Sequence, residues 1–146
     1  MRPLRALGFV LLALLLATGC STLKVKEDSS PVTVVENYLS ALNRRDLMVL
    51  TAYVEPNVTW YSVVKGERIQ EVVGREALKE TLRSYFAQNE KTEWRIEQVT
   101  TTDQTVAVRE RSVWQSKSDH GARISLAVYE ISGGRITRIT HYLAER

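Results

Sequence analysis

The feature that most constrains the fold of this chain is the alternation of apolar and polar residues in its second half. Residues 106–115, 123–131 and 135–143 alternate in this way and are rich in β-branched and aromatic side chains. Polar turns separate them at residues 118–121 and 132–134, and the second turn is a Ser-Gly-Gly sequence in which glycine reaches positive φ without steric cost. Alternation with a period of two, broken by tight turns, predicts successive antiparallel strands.

The residues at the start of the folded region follow helical spacing instead. Pro31 suits the first turn of a helix and Ser30 suits its N-cap. Val35, Leu39 and Leu42 then recur at the spacing of one helix face. These residues predict a helix that begins at residue 31 and packs through an apolar face.

Shorter elements are predicted between this helix and the strands. Asp46 can cap a second, short helix, and Gly74 opens a third helix. Between them, a turn at residues 56–57 precedes a strand over residues 58–64, and residues 65–73 fit either a loop or a short strand. Three helices followed by antiparallel strands predict an α+β domain. A strongly bent sheet would wrap around the helices and leave a pocket at its mouth.

The N-terminal residues have the layout of an export signal. Arg2 and Arg5 form a short positive region, residues 7–17 are an uncharged apolar run, and small residues lead to Cys20. The apolar run is shorter than the roughly 20 residues that a membrane-spanning helix needs. The pattern therefore predicts a signal peptide over residues 1–19, with a membrane-spanning helix as the alternative.

The four residues 17–20, Ala-Thr-Gly-Cys, resemble the lipobox of bacterial lipoproteins. This resemblance implies that Cys20 is lipidated, that the peptide before it is removed, and that two or three acyl chains such as palmitate anchor the protein in a membrane. Ser21 rather than Asp follows the cysteine, which implies the outer membrane of the cell envelope, facing the periplasm. Residues 20–30 would be the lipidated cysteine and a polar tether. The alternative is a lone cysteine placed at this boundary by chance.

Composition and charge limit the partners that the mature chain could have. Hydrophobic residues make up 44% of the 146 residues and charged residues 25%, which is enough for one packed core. The net charge of +3 falls to about +1 when Arg2 and Arg5 are removed, and no dense basic run remains. Nucleic acid is therefore not expected as a partner. Cys20 is the single cysteine, so an internal disulfide and a multi-cysteine zinc site are excluded.

Four stretches of the chain resemble the nuclear transport factor two-like superfamily, which includes SnoaL-type polyketide cyclases and ketosteroid isomerases. They are VVENYLSALNRRDL at 34–47, VTWYS at 58–62, GREALKETL at 74–82 and GRITRITHYL at 134–143. The resemblance implies a cone-shaped, curved antiparallel sheet wrapped around three helices, over residues 31–146. It also implies a ligand or active site inside the cone and homodimers through the outer sheet face. It says little about activity, because many chemistries share this fold.

Ketosteroid isomerases allow one residue-by-residue comparison. Their oxyanion-donating tyrosine on the first helix corresponds to Tyr38 in this sequence. Their general base, an aspartate on the first strand, corresponds to Ser62, and their second oxyanion donor, a protonated aspartate, corresponds to Ala127. A serine without a partner cannot replace a carboxylate base near neutral pH, and alanine donates no hydrogen bond. Steroid isomerisation by that mechanism is therefore not expected.

Strand alternation, aligned to the same superfamily, predicts which side chains face the interior of the cone. Aromatic residues would line an apolar pocket that also contains a few polar side chains. Such a pocket suits a small amphipathic organic ligand. The predicted ligand-binding residues are Tyr38, Trp60, Ser62, Glu110, Ser112, Trp114, Tyr129 and His141, and Val108, Ser125, Ala127, Ile139 and Leu143 share their face.

Three of these residues are candidates for catalysis, each with a structural alternative. Glu110 interrupts an apolar inward face, and a buried carboxylate is costly unless it is paired, so it could be a base or a ligand contact. A register slip of one residue would instead turn Glu110 outward and Arg109 or Arg111 inward. His141 could share a proton with Glu110 or Tyr38, or it could be a hydrogen-bonded core or rim residue. Tyr38 could contact a ligand or only pack its helix against the sheet.

The sequence therefore supports three hypotheses for function. The first is a tethered, non-catalytic domain that binds a small apolar ligand or a protein partner in the envelope, without a cofactor or a metal. The second is a cyclase- or isomerase-like enzyme that acts on a small apolar organic substrate by acid–base chemistry. The third is a structural role through the outer sheet face. An open pocket that holds Glu110 and His141 within hydrogen-bonding distance would favour the enzyme.

Overall fold

The structure, a computed structural model, describes residues 29–89, 91–116 and 118–143. The predicted signal peptide, the predicted lipidation site at Cys20 and most of the predicted tether lie outside the described residues. Within the described ranges, none of the helices has both the length and the apolar character needed to cross a membrane.

The described residues form three helices and six strands. Ser30 caps the first helix by accepting a hydrogen bond from the backbone N–H of Thr33 at 3.2 Å, and Asp46 caps the second by accepting from Val49 at 3.0 Å. In chain order the elements are α1 Pro31–Asn43, α2 Leu47–Ala52, β1 Val54–Val64, β2 Glu67–Val73, α3 Arg75–Gln88, β3 Lys91–Thr101, β4 Thr105–Gln115, β5 His120–Ser132 and β6 Arg135–Leu143.

The six strands form one curved sheet with the order β2-β1-β6-β5-β4-β3. Neighbouring strands are antiparallel, with one exception. The last strand, β6, pairs with the first, β1, and these two run parallel. Register shifts interrupt the pairing in β1, β3 and β5, and such bulges bend a strand and increase its twist. The result is the α+β cone predicted from the sequence, with α1 and α3 against its concave face.

The structure corrects three details of the predicted elements. Residues 56–57 are not a turn, because β1 already begins at Val54 and passes through them with irregular pairing to β6. The turn predicted at residues 118–121 is shorter, since β5 begins at His120. The strand β3 was not predicted as a separate element, because few of its residues are buried and its alternation is weak.

The core lies between the helices and the concave side of the sheet. Leu50 anchors the short helix α2, Leu78 anchors α3, and Tyr129 is the largest fully buried side chain on the sheet. The buried apolar residues form one cluster: Val34, Val35, Tyr38, Leu39, Ala41, Leu42, Leu50, Val54, Val58, Val72, Leu78, Leu82, Val106, Val108, Ala127, Tyr129, Ile131, Ile136 and Ile139. This packing supports the walls of a cavity and leaves its mouth open.

Candidate functional site

A cavity of about 280 Å³ opens between the concave face of the sheet and the helices α1 and α3. Its volume is at the lower end of the roughly 300–1,000 Å³ that is typical of small-molecule sites. Leucines and aromatic rings make up most of its wall. The lining residues are Tyr38, Leu39, Leu42, Trp60, Ser62, Leu78, Thr81, Leu82, Tyr85, Trp94, Glu110, Ser112, Arg123, Ser125, Ile139, His141 and Leu143.

Glu110 projects from β4 into this cavity and is only 2% exposed. Arg109 and Arg111, its neighbours on the strand, are exposed and pair with Glu97 on the outer face. The register of β4 is therefore the one in which the carboxylate faces inward. Two hydroxyls donate to it, Ser125 Oγ to Oε1 at 3.4 Å and Tyr129 Oη to Oε2 at 3.2 Å. Both hydrogen bonds are long for an O–H···O contact.

His141, on β6, lies on the other side of Glu110, and Trp60 fixes its tautomer. The indole Nε1–H of Trp60 donates to Nδ1 of His141 at 3.0 Å, so this nitrogen carries no proton. The proton of the neutral imidazole is then on Nε2, which is 3.0 Å from Oε1 of Glu110.

The contact between His141 and Glu110 is short but poorly aligned. Although Nε2 and Oε1 are 3.0 Å apart, the Nε2–H does not point at the oxygen closely enough to form a hydrogen bond. A small rotation of either side chain would complete the hydrogen bond.

Two tyrosines beside Glu110 are held in their neutral form. Burial, and then the negative charge of Glu110, raise the pKa of Tyr38 well above its ordinary value. Burial and the same charge also raise the pKa of Tyr129. The rings of Tyr38 and Tyr129 meet edge to face at 6.1 Å. The hydroxyl of Tyr129 is bonded to Glu110, whereas that of Tyr38 has no hydrogen-bonding partner among the described residues and is a free donor in the cavity.

The structure places the eight predicted ligand-binding residues in two groups. Tyr129 lies behind the cavity wall, where it supports Glu110, and Trp114 lies on the same face of β4 but away from the lining. Six residues line the cavity directly: Tyr38, Trp60, Ser62, Glu110, Ser112 and His141. Ala127, the counterpart of an isomerase donor, is buried in the core.

The sequence reasoning missed a charged residue of the cavity and most of its helical wall. Arg123 lies on β5 two residues before Ser125, so the alternation that placed Ser125 inside also places Arg123 there. The wall from α3 could not be assigned in this way, because a broad apolar helix face does not reveal which residues cover the core and which cover a pocket. It comprises Leu78, Thr81, Leu82 and Tyr85.

Within the part of the chain that the structure describes, no group of three or more His, Cys, Asp or Glu side chains could hold a metal ion. The polar groups of the cavity are one carboxylate, one imidazole, one guanidinium and several hydroxyls. This set can bind an organic molecule, accept a proton and stabilise a negative oxygen.

The sequence of residues 35–139 matches the SnoaL-like domain family over most of the chain. The chain belongs to the SnoaL-like domain family. The match covers Tyr38, Glu110 and Arg123 and ends two residues before His141. A search of curated proteins found no match.

Solved structures show the same fold. An LEH-like epoxide hydrolase from M. tuberculosis has 21% identity and a TM-score of 0.66, covering 78% of this chain and 82% of its own. A proposed polyketide cyclase from Xanthomonas campestris has 21% identity and a TM-score of 0.65, covering 78% and 90%. TerC, co-crystallised with polyporic acid, has 14% identity and a TM-score of 0.67, covering 80% and 92%. At these identities the likeness extends to the fold alone, and SnoaL-like domains carry different activities.

Proposed function

We propose that this SnoaL-like domain is an enzyme that acts on a small, largely apolar carbonyl compound by acid–base chemistry. Glu110 is the general base and the hydroxyl of Tyr38 stabilises the oxyanion. The observation that carries the proposal is the position of Glu110, a buried carboxylate that lines an open cavity with Nε2 of His141 at 3.0 Å. This reading replaces the non-catalytic binding domain as the leading hypothesis.

Glu110 has the environment of a base rather than that of a structural ion-pair partner. Among the described residues, no Lys or Arg nitrogen lies within 4 Å of its carboxylate, and its hydroxyl hydrogen bonds are 3.2 Å and 3.4 Å long. A buried carboxylate with so little compensation is costly to the fold. The imidazole of His141 and the two hydroxyls surround the carboxylate without forming a tight ion pair with it.

The first step moves one proton and two electron pairs. Glu110 removes a proton from the carbon next to the carbonyl group, and the C–H electron pair forms the carbon–carbon double bond of an enolate. The carbonyl π electrons move onto oxygen, where the neutral hydroxyl of Tyr38 donates a hydrogen bond. Return of the proton from Glu110 to a different carbon completes an isomerisation. In the ring-forming alternative, the enolate carbon attacks a second carbonyl carbon, the π electrons of that carbonyl move onto its oxygen, and this oxygen takes the proton from Glu110.

The comparisons support this class of chemistry without naming a substrate. Similar structures include an epoxide hydrolase and a proposed polyketide cyclase, and another, TerC, was co-crystallised with polyporic acid. The base in this chain is on β4, whereas the ketosteroid isomerase comparison places the base at Ser62 on β1. The proposal therefore does not depend on the isomerase residues that are missing here.

The first test is proton exchange in D₂O with 2-tetralone, a small apolar ketone, followed by NMR. We expect the Glu110→Gln substitution to lower the enzyme-catalysed exchange rate by roughly 10²- to 10⁴-fold, the usual contribution of a general base. Glu97→Gln, which changes a carboxylate on the outer face of the sheet, is the matched control and should keep the wild-type rate. Equal rates for Glu110→Gln and wild type would contradict the role of Glu110.

The non-catalytic binding domain remains the second candidate, because both isomerase carboxylates are replaced, by Ser62 and Ala127. If wild-type protein catalyses no exchange, and native mass spectrometry of protein from its own host finds a bound small molecule, binding without catalysis is supported. The same outcome would count against the enzyme.

We also propose that the domain is tethered to the cell envelope by acyl chains on Cys20, as the lipobox resemblance implies. Two or three chains give stable anchoring, because one chain alone binds only marginally. The Cys20→Ala variant should leave the membrane fraction, whereas Ser21→Ala is the control and should stay in it. A Cys20→Ala protein that remains uncleaved and membrane-bound would contradict the tether.

A further inference from the structure

The strongest unexplained feature of the cavity is Arg123, which the proposed reaction does not use. Its side chain lines the cavity and is partly buried. Four of the arginines on β4, β5 and β6 form an ion pair with a glutamate on another strand of the sheet. They are Arg109, Arg111, Arg135 and Arg138. Arg123 has no carboxylate within 4 Å among the described residues.

The end of the β4–β5 hairpin holds the guanidinium of Arg123 in place. Its Cζ lies 5.8 Å from the centroid of the Trp114 ring, within the range of a cation–π contact. The indole Nε1–H of Trp114 donates to Oδ2 of Asp119 at 3.1 Å. On its other side the ring packs against Gly121, where an added Cβ would lie 2.6 Å from Cζ2 of Trp114. Trp114 does not line the cavity itself, but its ring contacts the guanidinium of Arg123, which does.

The sheet register places this cation toward one end of the cavity and Glu110 deeper in it. Ser125 is the register partner of Glu110, and Arg123 is the partner of Ser112. Arg123 and Glu110 are therefore offset by two residues, about 7 Å along the strands. The apolar wall formed by Leu39, Leu82 and the neighbouring side chains lies over the same cavity.

We propose that the ligand of this site is a small, largely apolar monocarboxylic acid whose carboxylate binds Arg123. This inference rests on the proposed function, because it names the substrate class of the same cavity. The guanidinium fork matches the two oxygens of a carboxylate. A dianionic phosphate is disfavoured, because the cavity lining offers one arginine and no lysine and already holds the negative charge of Glu110.

The offset between the two charged groups also defines the shape of the substrate. The carboxylate is held at Arg123 while an apolar body extends inward, so the reacting carbon lies several bonds from the carboxylate. The cavity of about 280 Å³ limits that body to a small ring system or a short chain. Binding energy at the carboxylate then orients the carbon that faces Glu110.

The test uses isothermal titration calorimetry of the full mature protein with 2-naphthoate and with 2-naphthamide, its uncharged analogue of the same shape. We expect the wild type to bind the acid at least about tenfold more tightly than the amide, the usual gain from a charge-assisted hydrogen bond. Arg123→Gln should remove this preference and leave the amide affinity unchanged. Arg111→Gln, which removes an arginine on the outer face, is the matched control and should keep it.

The Gly121→Ala variant tests the positioning role of Trp114 separately. Its added Cβ would displace the Trp114 ring and with it the guanidinium, so the ratio of acid to amide affinity should fall while amide binding persists. If Trp114 has only a structural role, Gly121→Ala should lower the affinities for the acid and the amide by the same factor, or change neither of them.

Three results would overturn the inference: equal wild-type affinity for the two probes, a preference that survives in Arg123→Gln, or no binding of either probe. The proposed function fails on a different measurement, namely proton exchange that does not depend on Glu110. Because Glu110→Gln removes a negative charge from the cavity, it should keep or strengthen the binding of 2-naphthoate. Carboxylate preference without exchange would therefore leave this inference standing and contradict only the catalytic proposal.

Discussion

At the scale of single residues, the main feature of the site is the buried carboxylate of Glu110, which has few hydrogen-bonding partners. Glu110 is held by two long hydroxyl hydrogen bonds and a misaligned imidazole. Its charge also reaches the two buried tyrosines, Tyr38 and Tyr129, and helps to raise the pKa of each phenol. Burial first, and the charge of Glu110 second, keep both phenols protonated, which is what an oxyanion-stabilising site requires.

This coupling predicts how stability depends on alkaline pH. The pKa of Tyr129 is raised in the folded protein above the ordinary value of 10.0, first by burial and then by Glu110. Above about pH 10 the unfolded chain loses a proton that the folded protein keeps, so the free energy of unfolding falls as pH rises. The full contribution is present below about pH 10.

Urea unfolding at a series of pH values checks this prediction. Tyr129→Phe should flatten the loss of stability above about pH 10, because the variant has no phenol to ionise in either state. Tyr61→Phe, on a strand far from Glu110 in the chain, is the control. A wild-type slope that is unchanged in Tyr129→Phe would contradict the coupling.

At the scale of elements, short helices and tight turns set the positions of the cavity walls. The helix α2 has only six residues and one fully buried anchor, Leu50, so its start depends on its cap. The β4–β5 hairpin is another such element, because Ser116 and Asp119 bond to each other across its turn and support Trp114. Neither element touches the reacting groups: α2 packs into the core through Leu50, and the hairpin places Trp114 beside Arg123.

The cap of α2 can be tested directly. Asp46 accepts a hydrogen bond from the backbone N–H of Val49 at 3.0 Å. Asp46→Ala should lower the free energy of unfolding by about 1 kcal/mol, whereas Asp46→Asn keeps a capping oxygen and should lose only part of that. Equal losses for the two variants in urea unfolding would show that the cap contributes little.

At the scale of the whole molecule, the sheet has a covered concave face and an open outer face. Leu126 and Tyr142 are register partners on the outer face and are 46% and 45% exposed. Ion pairs of Glu97 with two arginines lie on the same face. The family resemblance implies dimers through this face, and that implication stays a prediction.

Analytical ultracentrifugation of Leu126→Lys tests it. If the outer face is a dimer surface, a lysine there should shift the protein to monomer, because a buried charge without a partner is costly. Met48→Lys, on the exposed side of α2, is the control and should not change the oligomeric state. A wild-type protein that is monomeric at all concentrations would contradict the implied dimer.

The sequence by itself determined the elements with strong periodicity. The caps at Ser30 and Asp46 are local, so they can be read from neighbouring residues. Alternation put Glu110 and His141 on one predicted face only with the help of the family resemblance, and the structure decided the register. The weakly patterned β3 could not be predicted, because its residues are mostly exposed.

Only the tertiary structure decided how these residues combine. Trp60 and His141 are 81 residues apart, and the tautomer of the histidine depends on the bond between them. That Arg123 has no carboxylate within 4 Å among the described residues likewise depends on which strands the sheet brings together. Contacts between distant strands follow from the register and curvature of the whole sheet, which no local pattern specifies.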